Sequence, residues 1–161
     1  MQNTYIFIDI DGVFNLEDLP GQNTEMPYDE NGVPLLVPEF VQLFTEVISK
    51  YDQVKIVISS SWRELFDLPT IRSRFPKNIQ NKIIAVTPVW SACAELPKYV
   101  RYEEVMQYLA TTGNEDAYWI AIDDLPGHYP DTVNLVAVNH YVGFDHHAAS
   151  KLDILLQKSL S

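Results

Sequence analysis

The sequence predicts an α/β fold with a parallel β-sheet, on the basis of two observations. Five short apolar runs alternate with segments whose apolar residues recur at helical spacing, and each run has the length of a strand buried on both faces. No repeat, low-complexity tract or linker interrupts this alternation, so we expect one domain over residues 1–161. Such an alternation gives three layers, with a sheet of about five strands between two layers of helices.

Each apolar run ends in polar residues. The runs cover residues 4–8, 54–58, 82–86, 118–122 and 133–138. The polar residues that follow them begin with Asp9, Ser59, Thr87, Asp123 and Asn139. Because the carboxyl ends of parallel strands share one edge of the sheet, and ligands of such folds bind there, we expect these side chains to converge on one site.

The segments between the strands carry helical periodicity. Residues 38–51 and residues 98–110 each present one apolar stripe, which predicts amphipathic helices. Residues 62–75 are predicted to form two short helical pieces that break at Pro69. The last helix is predicted to begin near Asp145, a typical N-cap residue.

Residues 14–37 break this alternation. They contain Asn31-Gly32, a dipeptide typical of the type I′ turn of a β-hairpin. We therefore expect a small flap hairpin over the ends of the strands. The alternative is a surface loop that has no functional role.

The composition limits the partners and the compartment. The formal net charge of −11 repels polyanions at long range, which disfavours a broad basic nucleic-acid surface but allows a locally basic pocket. The single cysteine, Cys93, can form neither an internal disulfide nor a Cys/His zinc site. The N-terminal apolar run is too short for a signal peptide or a membrane span, so we expect a cytoplasmic protein without a membrane partner.

Asp9, Asp11 and Gly12 form the sharpest motif of the sequence. Two carboxylates follow a strand end, where one can attack phosphorus and the other can exchange protons with the leaving group. Gly12 lets the backbone turn and approach a ligand closely. The alternatives are an ordinary polar turn and a calcium loop, and the calcium loop is excluded because Pro20 occupies the position that needs Glu.

Asp123 and Asp124 follow a second buried run. Adjacent acids repel each other, and a divalent cation is the simplest compensation. Mg²⁺ prefers a few carboxylates together with water and phosphate oxygens. Together with Asp9 and Asp11, the pair therefore predicts a magnesium site, and the alternative is an acidic turn that faces solvent.

Hydroxyl and basic groups complete the predicted site. Ser59 and Ser60 follow another strand, where they either bind phosphate or form an ordinary N-cap, and Ser59 is preferred because it follows the strand directly. Arg63 either contacts phosphate or forms a structural ion pair, with equal weight. Lys98 and Arg101 are candidates for a cation that stabilises the transferring phosphoryl group, with a solvated helix face as the alternative for both.

Four motifs in a fixed order resemble the haloacid dehalogenase (HAD) superfamily over nearly the whole chain. They are IFIDIDGV, KIVISSSWR, a basic residue at position 98 or 101, and WIAIDD. The segments SSSWR, Thr87-Pro88, RYEEV and the final Asp-Asp pair resemble in particular the HAD domains of Swiss-Army-knife RNA-repair proteins. The resemblance implies a Rossmann-like HAD fold. The intervals between the motifs leave no room for a full cap domain.

The resemblance also implies roles for the acids. Asp9 would be the nucleophile and a Mg²⁺ ligand. Asp11 would be the general acid/base, with its backbone carbonyl on the metal. Asp123 and Asp124 would complete the Mg²⁺ site. Because an alkoxide leaving group needs a proton and a halide does not, the acid at position 11 argues for phosphoryl chemistry rather than dehalogenation.

The remaining roles follow the same resemblance. Ser59 or Ser60 would bind the phosphoryl group, and Arg101 or Lys98 would be the stabilising cation. We therefore expect a Mg²⁺-dependent hydrolase that cleaves phosphate monoesters through an aspartyl-phosphate. The substrate is a phosphorylated molecule that the sequence does not identify. Family analogy includes nucleic-acid ends, which the net charge of −11 disfavours.

Two other functions stay open from the sequence. One is a regulatory domain that keeps the HAD fold and binds metal and phosphate with weak or no turnover, and the presence of all four motifs argues against it. The other is a phospho-acceptor receiver domain. Receivers usually begin with adjacent acids, whereas here the single-spaced pair comes first and the adjacent pair comes late.

Overall fold

A computed structural model describes residues 2–16, 27–90 and 95–161 and confirms the α/β fold. Its strands are β1 (Thr4–Ile8), β2 (Val54–Ile58), β3 (Ile83–Val86), β4 (Trp119–Asp123) and β5 (Leu135–Ala137). They form one parallel sheet in the order β3-β2-β1-β4-β5. Because β1 lies at the centre with β2 and β4 as its neighbours, the residues that follow these three strands are brought together.

Helices cover both faces of the sheet. They are α1 (Pro38–Ile48), α2 (Trp62–Leu65), α3 (Leu68–Arg72), α4 (Lys77–Gln80), α5 (Val100–Thr111) and α6 (His146–Ser159). Ile6 and Ile56 belong to the apolar cluster that includes α1 and α6, whereas Phe7 and Val57 belong to the cluster of α5. Successive strand residues thus face opposite layers. None of the helices in the described residues has the length and apolar character that a membrane span requires.

The backbone ladder continues one residue beyond the strands. The Ser59 N–H donates to the Ile8 carbonyl at 2.8 Å, and the Asp9 N–H donates to the Ile122 carbonyl at 2.9 Å. Thr87 continues β3 in the same way. The polar residues after β1, β2 and β3 therefore stand level along one edge of the sheet.

Phe14 anchors the loop that follows β1. Its ring centroid lies 5.1 Å from that of Phe44, 5.5 Å from that of Phe75 and 5.6 Å from that of Phe144. All four rings are buried in the core. This packing fixes the end of the loop that carries Asp11.

The segment 62–75 forms two short helices, as predicted, but the break between them lies elsewhere. The chain leaves the helical conformation at residues 66–67, and Pro69 lies in the first turn of α3. Proline is tolerated there because the first N–H groups of a helix have no partner within the helix. The predicted break at Pro69 is therefore wrong, because Pro69 helps to begin a helix.

The predicted flap is described only in part, because residues 17–26 lie outside the described residues, as does Cys93. A short antiparallel bridge pairs the two arms of the described remainder. A type I′ turn needs positive φ at both Asn31 and Gly32, and only Gly32 has it, at 74°, so this prediction is wrong. Instead, the Asp29 carboxylate closes the turn by accepting a hydrogen bond from the Asn31 N–H at 2.9 Å.

Candidate active site

Three carboxylates converge at the carboxyl edge of the sheet. Asp9 follows β1, Asp123 ends the adjacent strand β4, and Asp124 comes next. One oxygen of each carboxylate lies within 4.8 Å of the others, and all three residues are buried. We call these three residues the acidic cluster. The fold thus brings together acids that are more than a hundred positions apart in the sequence.

The acidic cluster is electrostatically unfavourable without a cation. Burial, the charge of Asp123 and a hydrogen bond with Asp124 raise the pKa of Asp9 to about 9. Burial raises the pKa of Asp123 to about 6, although the Leu125 N–H and the charge of Arg101 oppose the rise. No ion pair to the three carboxylates forms among the described residues. A divalent cation would relieve this repulsion, and carboxylate oxygens are the ligands that Mg²⁺ prefers.

Two donors orient the carboxylate of Asp123. The Leu125 N–H donates to Oδ1 at 2.9 Å, and the Tyr129 hydroxyl donates to Oδ2 at 3.1 Å. Tyr129 is buried and follows a 3₁₀ turn over Pro126–His128. Because these bonds hold both of its oxygens, the Asp123 carboxylate has a fixed orientation within the acidic cluster.

Gly12 leaves room for the carboxylate of Asp124. It has a φ of 79°, and a Cβ built on it would lie 2.8 Å from Cγ of Asp124 and 3.0 Å from Cβ of His140. Any side chain at position 12 would therefore displace a member of the acidic cluster. The close neighbour of Gly12 in the structure is thus the carboxylate of Asp124, and the predicted contact of Gly12 with a ligand stays a prediction.

Asp11 follows Asp9 by two positions, and its side chain is not one of the three grouped carboxylates. Its Oδ1 accepts one hydrogen bond from Asn15 Nδ2 and one from Trp62 Nε1, each at 2.9 Å. The metal role that the resemblance implies for Asp11 concerns its backbone carbonyl. Its side chain is held by these two hydrogen bonds, and its role as general acid/base stays a prediction.

The two candidate serines differ in their contacts. Ser59 Oγ is buried and has no hydrogen-bond partner in the part of the chain that the structure describes. Ser60 Oγ, in contrast, accepts a hydrogen bond from the Trp62 N–H at 3.2 Å. A buried hydroxyl without a partner costs about 1–3 kcal/mol, which an external acceptor or donor would recover. These contacts favour Ser59 as the phosphate ligand.

Arg63 forms a buried ion pair with Glu104. Its NH2 lies 2.7 Å from Glu104 Oε2, and both side chains are only 2% exposed. Its other nitrogens donate to the Ser60 carbonyl at 2.7 Å and to the Thr87 carbonyl at 3.1 Å. These bonds connect the ends of β2 and β3 to α5. The contacts of Arg63 therefore favour the structural ion pair over a phosphate contact.

The two candidate cations also differ. Arg101 lies 3.3 Å from Glu104, NH1 to Oε1, and its charge opposes the rise in the pKa of Asp123. Lys98 is exposed, and its ammonium lies 5.1 Å from the centroid of the Tyr99 ring. Because the charge of Arg101 acts on a carboxylate of the acidic cluster, Arg101 is favoured over Lys98 as the stabilising cation.

The sequence analysis did not single out several residues that contact the predicted site residues. Trp62 and Glu104 are examples, because their partners Asp11 and Arg63 lie 51 and 41 positions away. Both lie inside segments that carry the family resemblance, SSSWR and RYEEV, and this location is the one feature of the sequence that could have identified them. Tyr129 lies in the loop after the acidic pair, where no pattern predicts its hydrogen bond to Asp123.

The substitution Gly12→Ala is expected to weaken Mg²⁺ binding, because the new Cβ displaces the carboxylate of Asp124. The matched control is Gly113→Ala, where φ is 71° and no atom lies within 4 Å of the new Cβ. In both variants the new alanine must adopt the left-handed backbone conformation, which costs about 1–2 kcal/mol. Isothermal titration should show the loss of Mg²⁺ affinity in Gly12→Ala alone. Equal affinities would contradict this assignment.

The metal-free protein is expected to lose stability as the pH rises from about 6 to about 8.5. The pKa of Asp9 is about 9 in the folded protein against an ordinary value of 3.8, so the folded state binds the proton more tightly than the unfolded state. The contribution of Asp9 to the free energy of unfolding is complete when the pH is near its ordinary pKa of 3.8. It is lost as the pH rises toward the pKa of about 9 in the folded protein. Thermal unfolding in a chelator should give the lower Tm at the higher pH, with a smaller difference for Asp9→Asn. A higher Tm at the higher pH would contradict the assignment.

Comparison with known proteins adds the family. The family model described as the HAD domain in Swiss Army Knife RNA repair proteins matches residues 5–149. Among solved structures, the cobalt-bound deoxy-D-mannose-octulosonate 8-phosphate phosphatase of Haemophilus influenzae is 18% identical, with a TM-score of 0.42 over 98% of this chain and 90% of that chain. No curated protein matches the sequence. The match over most of the chain shows that the protein belongs to the family of HAD domains found in Swiss Army Knife RNA repair proteins.

Proposed function

We propose that this protein is a Mg²⁺-dependent phosphomonoester hydrolase that uses Asp9 as its nucleophile. The observation that carries the proposal is the acidic cluster, in which Asp9 lies with Asp123 and Asp124, buried, within 4.8 Å and without an ion pair among the described residues. Membership of a HAD family, together with this cluster, supports a HAD-type phosphatase at the level of the family.

The acidic cluster would hold the metal ion. The carboxylates of Asp9, Asp123 and Asp124 are its ligands in this proposal, together with the backbone carbonyl of Asp11. When bound, Mg²⁺ neutralises the carboxylates and the phosphate oxygens, so that an anionic nucleophile can approach an anionic substrate.

The side chains divide the reaction between them. Asp9 attacks phosphorus in line with the leaving group, and Asp11 gives its proton to the leaving oxygen as the bond from phosphorus to that oxygen breaks. Asp11 then takes a proton from the water that hydrolyses the aspartyl-phosphate on Asp9. The Ser59 hydroxyl contacts the phosphoryl oxygens, and Arg101 supplies positive charge to the transferring group.

The substrate class follows from the family and from the charge. The family description names RNA repair, so a phosphate at the end of an RNA strand is one candidate substrate. The net charge of −11 disfavours a wide nucleic-acid surface, so such a substrate would be bound mainly through its terminal phosphate. We also propose that residues 1–161 act as one domain in which residues 14–37 are a flap insert.

A metal- and phosphate-binding regulatory domain is the second candidate. It would have the same acidic cluster and the same Mg²⁺ affinity, but no turnover. The oriented carboxylate of Asp11 argues against it, because a proton-transfer group has no function in a domain that only binds phosphate.

Asp9→Asn is expected to abolish the release of phosphate. The assay covers an aryl phosphate, nucleotides, phosphopeptides and oligonucleotides with 5′- or 3′-phosphates, with Mg²⁺ or a chelator. Wild-type protein should release phosphate only with Mg²⁺, and acid-quenched samples should carry phosphate on the peptide that contains Asp9. The matched control is Asp116→Asn, which removes an exposed acid before β4 and should leave the activity unchanged.

Two results would contradict the proposal. Activity of Asp9→Asn equal to that of the wild type would exclude the nucleophile. Mg²⁺ that raises the Tm of the wild type without release of phosphate from any substrate would favour the regulatory domain.

A further inference from the structure

We propose that Trp62 and Asn15 are positioning residues that determine which oxygen of Asp11 carries the transferable proton. We call these two side chains the Asp11 clamp. The inference rests on the proposed function, because it assigns Asp11 the role of general acid. It adds to the machinery two residues for which the sequence analysis predicts no chemical role.

The two donors of the Asp11 clamp meet on one oxygen. Trp62 Nε1 and Asn15 Nδ2 each donate to Oδ1 of Asp11 at 2.9 Å. In the described part of the chain, no hydrogen bond is made to Oδ2 of Asp11. Among the described residues the carboxyl group is therefore asymmetric, because both N–H groups bind Oδ1, and in this proposal Oδ2 is the oxygen that meets the substrate.

The orientation of both donors is fixed by their surroundings. The Gly12 N–H donates to Oδ1 of Asn15 at 3.0 Å, so the amide must turn its NH₂ group toward Asp11. Trp62 is 2% exposed, and its ring lies 5.2 Å from that of Phe66, which limits its rotation. Neither donor can leave Oδ1 without a loss of buried contacts.

This asymmetry has a chemical consequence. An oxygen that accepts two N–H groups has no free lone pair for a proton, so the acidic proton of Asp11 must reside on Oδ2. In the first step the bond from phosphorus to the leaving oxygen breaks, its electron pair stays on that oxygen, and the proton moves there from Oδ2. Asp11 becomes a carboxylate whose Oδ1 is stabilised by both N–H groups.

The alternative is that Trp62 only fills the core. The two roles differ in how they respond to the leaving group. Loss of packing slows every substrate alike, whereas misplacement of the acid slows only substrates whose leaving group needs a proton. An alkyl phosphate needs the proton, and p-nitrophenyl phosphate, with its acidic phenol, needs it much less.

The test compares the two substrates in Trp62→Phe, which keeps an aromatic ring and removes the indole N–H. We expect kcat for an alkyl phosphate to fall about tenfold more than kcat for p-nitrophenyl phosphate, with KM nearly unchanged. The matched control is Phe66→Leu, which alters the packing against Trp62 and leaves its hydrogen bond to Asp11 intact. Phe66→Leu should lower both rates by the same factor. Equal losses in Trp62→Phe would overturn the inference.

A second measurement needs no turnover. With ¹⁵N-labelled tryptophan, the indole resonance that disappears in Trp62→Phe belongs to Trp62. It should move upfield in Asp11→Ala, because the charge-assisted hydrogen bond is lost. An unmoved resonance would show that the bond is absent in solution and would end the inference. If the wild type cleaves no phosphate, the proposed function fails and the catalytic role of the clamp fails with it, while a moved resonance would still show that the contact exists.

Discussion

The burial of three carboxylates at the ends of two neighbouring strands is the constraint on which the site depends. Asp9 and Asp123 have raised pKa values because water is excluded and like charges are close. A bound divalent cation would offset both of these effects. Neighbouring residues position the acidic cluster. Gly12 leaves room for the carboxylate of Asp124, and the Tyr129 hydroxyl donates a hydrogen bond to Asp123.

A second buried charge network, formed by Arg63, Arg101 and Glu104, stabilises the same edge of the sheet. Glu104 accepts hydrogen bonds from both Arg63 and Arg101, so one carboxylate on α5 holds two cations in place. Arg63 connects the ends of β2 and β3 and thereby holds the loop that carries Ser59. Removal of Glu104 would leave both cations without their shared partner, which is the costly way to break a buried ion pair.

The sequence predicted what depends on local pattern. Apolar runs and the polar residues after them gave the five strands and the shared edge, because period and burial are visible along the chain. The hairpin turn and the break at Pro69 were wrong, because Asp29 and the first turn of α3 impose their own geometry. The contacts of Trp62 with Asp11 join residues 51 positions apart, so no local pattern predicts them.

The central claim is that one divalent cation occupies the acidic cluster. Crystals grown with Mn²⁺, which accepts the same oxygen ligands as Mg²⁺, would show the ion directly by its anomalous scattering. The account predicts one strong anomalous peak in contact with the carboxylates of Asp9, Asp123 and Asp124. A protein saturated with Mn²⁺ that shows no peak there, or a peak only at another part of the surface, would contradict it.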